Sequence, residues 1–200
     1  MEGARTVGRR PPRCIFQRRA LKLAARRRHP LCAKPKEDAC GATIRLAEPC
    51  DAAAIAITLQ VAFAEFQQLY TPAAFSETTP AANQIAERFA EGPIWIAELG
   101  DTVVGTISAV PHGLELYIRS MAVRPAARGF SIGTRLLRTV EAFAANHQYR
   151  RLLLNTTPFL VSAVHLYESH GFRYTGEKPD LFGTPLLTMA KDLTGQVTAL

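Results

Sequence analysis

The sequence predicts a mixed α/β domain in which a central sheet is flanked by helices, and three features carry that prediction. Ala42-Thr43-Ile44-Arg45-Leu46-Ala47 alternates with period two, as a half-buried strand does. Ile132, Leu136, Val140 and Ala144 recur at four-residue steps, which gives one apolar helical face. Arg151-Leu152-Leu153-Leu154-Asn155 is a short strand with a wholly apolar centre, the pattern of a strand buried on both faces.

The remaining elements follow in order. Pro49 ends the first strand, and Asp51 is placed to cap a helix whose face is Ile55, Leu59, Phe63 and Phe66. Tyr70 to Thr79 reads as loop. Thr79-Pro80 reads as an N-cap and first helical residue, opening a second helix that runs to about Ala90 and stops at Gly92. Ile94–Glu98 and Val103–Val110 form a hairpin across Leu99-Gly100-Asp101. Pro111-His112-Gly113 turns the chain into a third strand, Leu114–Val123. A glycine-containing loop then leads into a helix from about Ile132 to His147, with Leu137 and Phe143 beside its apolar face. After the strand Arg151–Asn155, a helix over Leu160–Ser169 ends at Gly171. Phe172–Thr175 and Leu186–Lys191 close the sheet. The predicted order is β-α-α-β-β-β-α-β-α-β-β, with no internal repeat.

The 200 residues suit one domain plus an appendage. The net charge of +7 is unevenly spread: residues 1–40 hold 12 Lys and Arg against 3 acids, and the rest holds 12 against 14. Residues 1–41 therefore read as a basic, disordered extension and residues 42–200 as the folded domain, whose near-neutral charge argues against a nucleic-acid surface. The extension is Arg-rich but lacks the serines of a transit peptide and the layout of a secretory signal. Its Arg26-Arg27-Arg28 cluster could touch nucleic acid or an anionic membrane. A start placed upstream of the working protein is the third reading, favoured by the lack of pattern. The longest apolar run, Ala52–Ile57, is too short to span a membrane, which leads us to expect a soluble cytoplasmic protein. Cys14, Cys32, Cys40 and Cys50 form neither a CxxC nor a zinc pattern, so free thiols and no metal are expected. His165 and His170 are also the wrong step apart for one metal-binding helical face.

The informative stretch runs from Met121 to Thr134. A strand ends, a short basic loop passes Gly129, and a helix starts near Gly133. First-turn amides of a helix have no internal partners, and the helix dipole favours an anion beyond them. With Arg128 adjacent, this is a cradle for a pyrophosphate. It is neither a Walker loop nor a GxGxxG turn. Gly129-Phe130-Ser131-Ile132-Gly133 does match the GxSxG nucleophile elbow. However, Arg124–Arg128 separate it from the strand, and the acids and histidines that could follow (Glu141 or Glu168, then His165 or His170) fall on helices. A plain strand–loop–helix turn would also use glycines here.

Arg128-Gly129-Phe130-Ser131-Ile132-Gly133 resembles the Arg/Gln-x-x-Gly-x-Gly/Ala pattern of the GNAT superfamily of acyl-CoA N-acyltransferases. The flanks YIRSMAVRPAARG, RLLRTVEAFA, RRLLLNTT, AVHLYESHGFRYTGE and LLTMAKDL are similar in order and spacing. The resemblance covers about Thr43 to Leu193, strongly from Tyr117 to Phe172 and weakly before Glu91. Two positions depart from it: Ser131 stands at a usual glycine, where its hydroxyl could cap the helix or meet a phosphate, and Leu160 stands at a frequent asparagine, for which Asn155 could substitute.

The resemblance implies a mixed sheet whose central strands, Leu114–Val123 and Arg151–Asn155, splay apart. The pantetheine arm of acetyl-CoA would bond the backbone of Met121, Ala122 and Val123 as an added strand does. The pyrophosphate would sit on the amides of Arg128, Gly129, Phe130, Ser131, Ile132, Gly133 and Thr134. An amine, in a small molecule or a protein, would attack the thioester after losing a proton, with Tyr167 donating to the departing thiolate and strand N–H groups holding the oxyanion. Glu115 is the candidate base, ahead of Glu65 and Glu98, and water alone could serve. A monomer or homodimer is expected. The competing classes are a non-catalytic acyl-CoA sensor or interaction module, and a nucleic-acid-associated protein acting through the basic extension.

Overall fold

The computed structural model describes residues 41–193. The basic extension, apart from Gly41, and three of the four cysteines lie outside the described residues; Cys50 is free and exposed.

Strand β1 (Thr43–Leu46) pairs antiparallel with β2 (Ile94–Leu99). Arg45 fastens this edge: its guanidinium meets Asp51 at 2.7 Å and Glu98 at 2.7 Å. Asp51 therefore does not cap the next helix as its position suggested. It accepts from the Glu48 N–H at 2.8 Å, and the Arg45 guanidinium holds its carboxyl below the usual range. Helix α1 (Ala52–Phe63) buries Ile55, Leu59 and Ala62. At Ala64–Leu69 the chain tightens into a 3₁₀ turn, which takes Phe66 off the helical face and packs it against Tyr70 and Phe75. The run Pro49–Leu69 is long and apolar enough by length and composition to cross a membrane, although no single apolar stretch in the sequence showed this. One face of it, Ile55 and Leu59, is buried against Ile94 and Ile96 of the sheet.

Two local expectations fail here for physical reasons. The predicted loop after Tyr70 contains helix α2 (Pro72–Thr78), opened by Pro72 and capped by Thr71, whose Oγ1 accepts from the Ala74 N–H at 3.3 Å. Helix α3 (Ala82–Arg88) starts after Ala81, because Gln84 takes the Ala81 N–H at 2.9 Å; the Thr79 hydroxyl donates to Phe75 O at 2.7 Å instead of capping.

β2 pairs with β3 (Thr102–His112) and β3 with β4 (Glu115–Val123), all antiparallel. Helix α4 (Ile132–Asn146) follows, then β5 (Arg151–Thr156) and α5 (Val161–Ser169). β6 (Arg173–Tyr174), a two-strand hairpin β7 (Asp180–Leu181) and β8 (Thr184–Pro185), and β9 (Leu187–Asp192) complete the described chain. The seven-stranded sheet runs β1-β2-β3-β4-β5-β9-β6, and β4–β5 is its parallel pair. On one face α1 and α3 pack through Ile55, Leu59 and Ile85 on Ile94, Ile96 and Ala122. On the other, α4 buries the predicted face Ile132, Leu136, Leu137, Val140 and Ala144 against Ile107, Leu116, Ile118 and Leu152, and Tyr167 of α5 and Phe172 join the same core. Glu141 of α4 ties that layer together, taking Lys191 of β9 at 2.9 Å and His170 at 3.2 Å.

Gly92, read from sequence as a helix stop, has no left-handed φ. Its role is close approach: a Cβ there would stand 2.2 Å from the Ala109 carbonyl oxygen and 2.9 Å from Pro111 Cδ. Backbone cannot yield as a side-chain tip can. Gly92→Ala is therefore expected to destabilise the domain by about 2 kcal/mol or more, read as a fall in the denaturant midpoint at unchanged m value.

Candidate active site

The centre of the sheet is open because two things happen to β4. Its pairing with β5 runs only from Glu115↔Arg151 to Ile118↔Leu154, so the strands part beyond that point. One residue later β4 bulges: Thr106 faces Ala122 and Ser108 faces Arg119, leaving Ser120 and Met121 opposite Ile107. Ser120 adopts φ 52, a left-handed conformation that a serine holds only under constraint. The bulge swaps the faces of the strand. Leu116 and Ile118 pack with α4 before it, and Met121 and Val123 do so after it, while Ala122 turns to the α1 side. The result is a cleft of about 960 Å³ between the C-terminal halves of β4 and β5.

One end of the cleft is the start of α4. The first helical bond outside the loop runs from Arg135 N–H to Ser131 O at 3.0 Å, so helix geometry leaves the amides of Ile132, Gly133 and Thr134 available. All three residues line the cleft, with Arg128, Gly129 and Ser131. The glycines have different jobs. Gly129 sits at φ 83 with open space where a Cβ would stand, so it serves the turn and leaves room for an anion. A Cβ on Gly133 would come 3.2 Å from Leu166 Cδ2 and 3.6 Å from Met121 Cε, so it serves packing of α4 on α5 and β4. Ser131 takes φ 58, and its hydroxyl makes no cap. That conformation is why glycine suits this position better, and it removes the expected capping role. Arg128 does not stand free over the cradle: it ion-pairs with Glu65 and donates to Ala62 O at 3.1 Å and Val123 O at 3.2 Å, fastening the loop to the end of α1. Phe130 is 47% exposed and lies off the cleft.

Met121, Ala122, Val123, Asn155 and Tyr167 also line the cleft. Asn155 Oδ1 accepts from the Thr188 hydroxyl at 2.9 Å, and Leu160 is also part of the cleft lining. Tyr167 is 7% exposed, with its hydroxyl donating to Met121 Sδ at 3.5 Å. Burial, then the neighbouring Tyr117 and Tyr70, push this phenol well above its ordinary pKa, so it keeps its proton at neutral and moderately alkaline pH. Glu115 is not brought to the site: it is the first residue of β4, opposite His112, and meets Arg151 at 3.4 Å. Carboxylates that do line the cleft are Glu77 and Asp180. The hydrolase alternative finds its acid and histidine, Glu141 and His170, in contact, but Glu141 is ten residues along α4 from Ser131, roughly 15 Å at helical rise.

The other end of the cleft is formed by Tyr70, Arg88, Tyr117, Arg119, Ser120 and Phe159. The sequence places the acceptor walls in Phe63–Pro80 and Lys178–Pro185, and Phe66, Tyr70, Glu77 and Asp180 of those ranges do line the cleft, whereas Arg88, Arg119, Ser120 and Phe159 lie outside them. A signal for the bulge was present in the strand, where the apolar positions change from even (Leu116, Ile118) to odd (Met121, Val123). The arginines carried no such signal.

Comparison with known proteins bears on the family and the fold. The model of the acetyltransferase (GNAT) family matches residues 61–172. A probable N-acetyltransferase family 8 member 5 of Mus musculus is 34% identical over 98 residues, 46% of this chain and 43% of that protein. The N-acetylaspartate synthetase of Mus musculus is 38% identical over 98 residues, 48% of this chain and 32% of that protein. The chain spans less than half the length of these curated relatives. The PaiA N-acetyltransferase of Thermoplasma acidophilum, solved in complex with coenzyme A, shares the fold, with a TM-score of 0.64 at 16% identity over 76% of this chain and 99% of that one.

The left-handed cap gives a direct stability test. Ser131→Gly relieves the side-chain strain at the price of a looser unfolded chain, and is expected to stabilise by about 0.5–1 kcal/mol in denaturant unfolding. Gly129→Ala, at φ 83, is expected to destabilise by about 1–2 kcal/mol in the same measurement.

Proposed function

The chain belongs to the GNAT acetyltransferase family, and from that premise we propose that it transfers an acetyl group from acetyl-CoA to the amine of an acceptor by direct attack on the thioester. The observation that carries the reading is the splay between β4 and β5, with free helix-start amides at one end and a buried phenol inside. The residues present fit acetyl-CoA: the Ile132–Thr134 amides suit a pyrophosphate, the turn at Gly129 leaves room for it, and the unpaired stretch of β4 offers backbone groups to a pantetheine arm. Acetyl-CoA supplies the activated acyl group, and the protein supplies placement and proton management.

In this reading Met121, Ala122 and Val123 hold the arm along the strand edge. Backbone N–H groups of the same stretch meet the negative charge that develops on the thioester oxygen. Tyr167 gives its proton to the departing sulfur; a phenol kept protonated by burial is suited to donate and unsuited to act as a base. The amine's proton leaves through cleft water to Glu77 or Asp180. Glu115 has no part in this reading, because it stands at the closed end of β4, outside the cleft lining.

Two measurements test this. Thr134→Glu places an anion in the first turn of α4, where it suits the helix dipole but repels a pyrophosphate; acetyl-CoA affinity by calorimetry is expected to fall at least about tenfold with the fold intact. Tyr167→Phe is expected to lower kcat about a hundredfold at little change in acetyl-CoA affinity. Because the phenol's pKa is raised, wild-type kcat is expected to show no descending limb up to about pH 10, the ordinary tyrosine range. Binding without turnover on any amine would leave the sensor reading; no binding at all would remove both.

A further inference from the structure

We infer that the acceptor carries a carboxylate close to the amine that is acetylated, as an amino acid or amino-acid conjugate does, and that Arg88 and Arg119 bind it. The inference rests on the acetyltransferase reading and adds the class of acceptor.

Arg88 is the last residue of α3, and Arg119 precedes the bulge of β4. Ile118 faces α4, so Arg119 projects from the opposite face of the sheet, away from the phosphate cradle. Both arginines line the cleft. Arg88 Nη1 donates to Ser120 Oγ at 3.2 Å, which sets it at the bulge where the strands part. Two elements remote in sequence thus bring two cations to one wall of the cleft, beside the place where the thioester would lie.

Their present partners are unequal to them. Arg88 pairs with Glu77 at 2.8 Å, but the arginine side chain is 11% exposed and the glutamate 48%. Arg119 pairs with Glu91, at 26% and 43%. In each pair the cation is the more sheltered member and the acid stands towards solvent. Exposed pairs contribute about 0–1 kcal/mol, so such acids are held weakly and can give way. Arg119 Nε is buried with no hydrogen-bond partner among the described residues, so this guanidinium has unused donor capacity inside the protein. Burial, and then the charge of Arg119, lower the pKa of Arg88: the two cations repel, and an anion between them would relieve both effects. A carboxylate matches the forked donors of arginine better than any neutral group. Glu77 and Asp180 line the same cleft, so its acceptor end offers both signs, as a zwitterion requires. A lysine side chain in a protein would bring the amine without the carboxylate and would leave the arginines unused.

The test uses the full chain saturated with coenzyme A. Coenzyme A binding is measured first by calorimetry, so failure of the acetyltransferase reading shows as loss of that step alone. N-acetylglycine, N-acetylaspartate and N-acetylphenylalanine are then titrated beside their C-terminal primary amides. At least one acid is expected to bind about tenfold or more tightly than its amide. Arg119→Gln is expected to erase that ratio, with coenzyme A affinity unchanged and Arg119→Lys restoring part of it. In turnover, free amino acids should exceed their amides in kcat/KM, and Arg88→Gln should raise the KM of the acid acceptor without moving the KM of acetyl-CoA. Amides bound and acetylated as well as acids by the wild type would overturn the inference even if neither variant folds. So would an acid-to-amide ratio unchanged in Arg119→Gln, or a lysine peptide with a blocked C-terminus acetylated better than every free amino acid.

Discussion

The structure depends on one constraint, that β4 and β5 be held together at one end and kept apart at the other. Pairing from Glu115↔Arg151 to Ile118↔Leu154 fixes the closed end. The bulge at Ser120 and the left-handed φ it requires redirect β4 just where pairing stops. Separated strands expose backbone donors and acceptors, each of which costs about 1–3 kcal/mol if it is buried unpaired. A cleft that admits water or a ligand arm is the arrangement that avoids that cost. The unpaired edge then lines the cleft, and the bulge turns the strand at that point.

Keeping the cleft open requires rigid walls, and the packing supplies them separately. On one side, α4 is anchored along its length by Ile132, Leu136, Leu137, Val140 and Ala144, all 2% exposed or less. Gly133 lets Leu166 of α5 close against the start of that helix, so the cradle amides and Tyr167 are positioned by one contact. On the other side, α1 lies on Ile94, Ile96 and Ala122, and the Arg128–Glu65 pair joins its end to the loop before α4. Arg128, read from sequence as a phosphate ligand, thereby acts on the loop's position, through two backbone carbonyls and a carboxylate.

Much of this was legible from the chain. The strand and helix order, apart from α2 and the β7–β8 hairpin, and the apolar face of α4 follow from periodicity, and the cradle follows from a strand, a basic glycine turn and a helix start in sequence. β5, whose apolar run suggested burial on both faces, buries Leu152 and Leu154 but leaves Leu153 half-buried and Asn155, which lines the cleft, exposed. What escaped reading had competing local signals. Thr71-Pro72 carries the same start signature as Thr79-Pro80, and tertiary contacts decided for the first: the Thr71 hydroxyl donates to Phe182 O at 2.7 Å and its N–H to Thr184 Oγ1 at 3.1 Å, both from the β7–β8 hairpin. Gly92 looked like a helix stop because close approach to Ala109, its real role, leaves no trace in local pattern. Glu115 alternates correctly with the cleft-facing residues of β4, but a strand pattern gives the face and not the distance along it, and Glu115 lies at the closed end.

The two ends of the cleft differ in what builds them, and that difference explains which was readable. The cradle is made of backbone amides, so its geometry demands particular residues: glycine at φ 83, a small residue at φ 58, and a glycine where Leu166 closes in. Such demands stand in the sequence as a motif. The acceptor end is made of side chains from α2, α3, β4 and the β7–β8 hairpin, which meet only after folding. No backbone conformation fixes them except at Ser120, so residues such as Arg88 and Arg119 can be exchanged without disturbing the cradle. In the proposed reading, a site so divided allows the acceptor to change while the acyl donor stays the same. Acceptor specificity in this chain must therefore be argued from the charges that line the open end rather than from the motif that names the family.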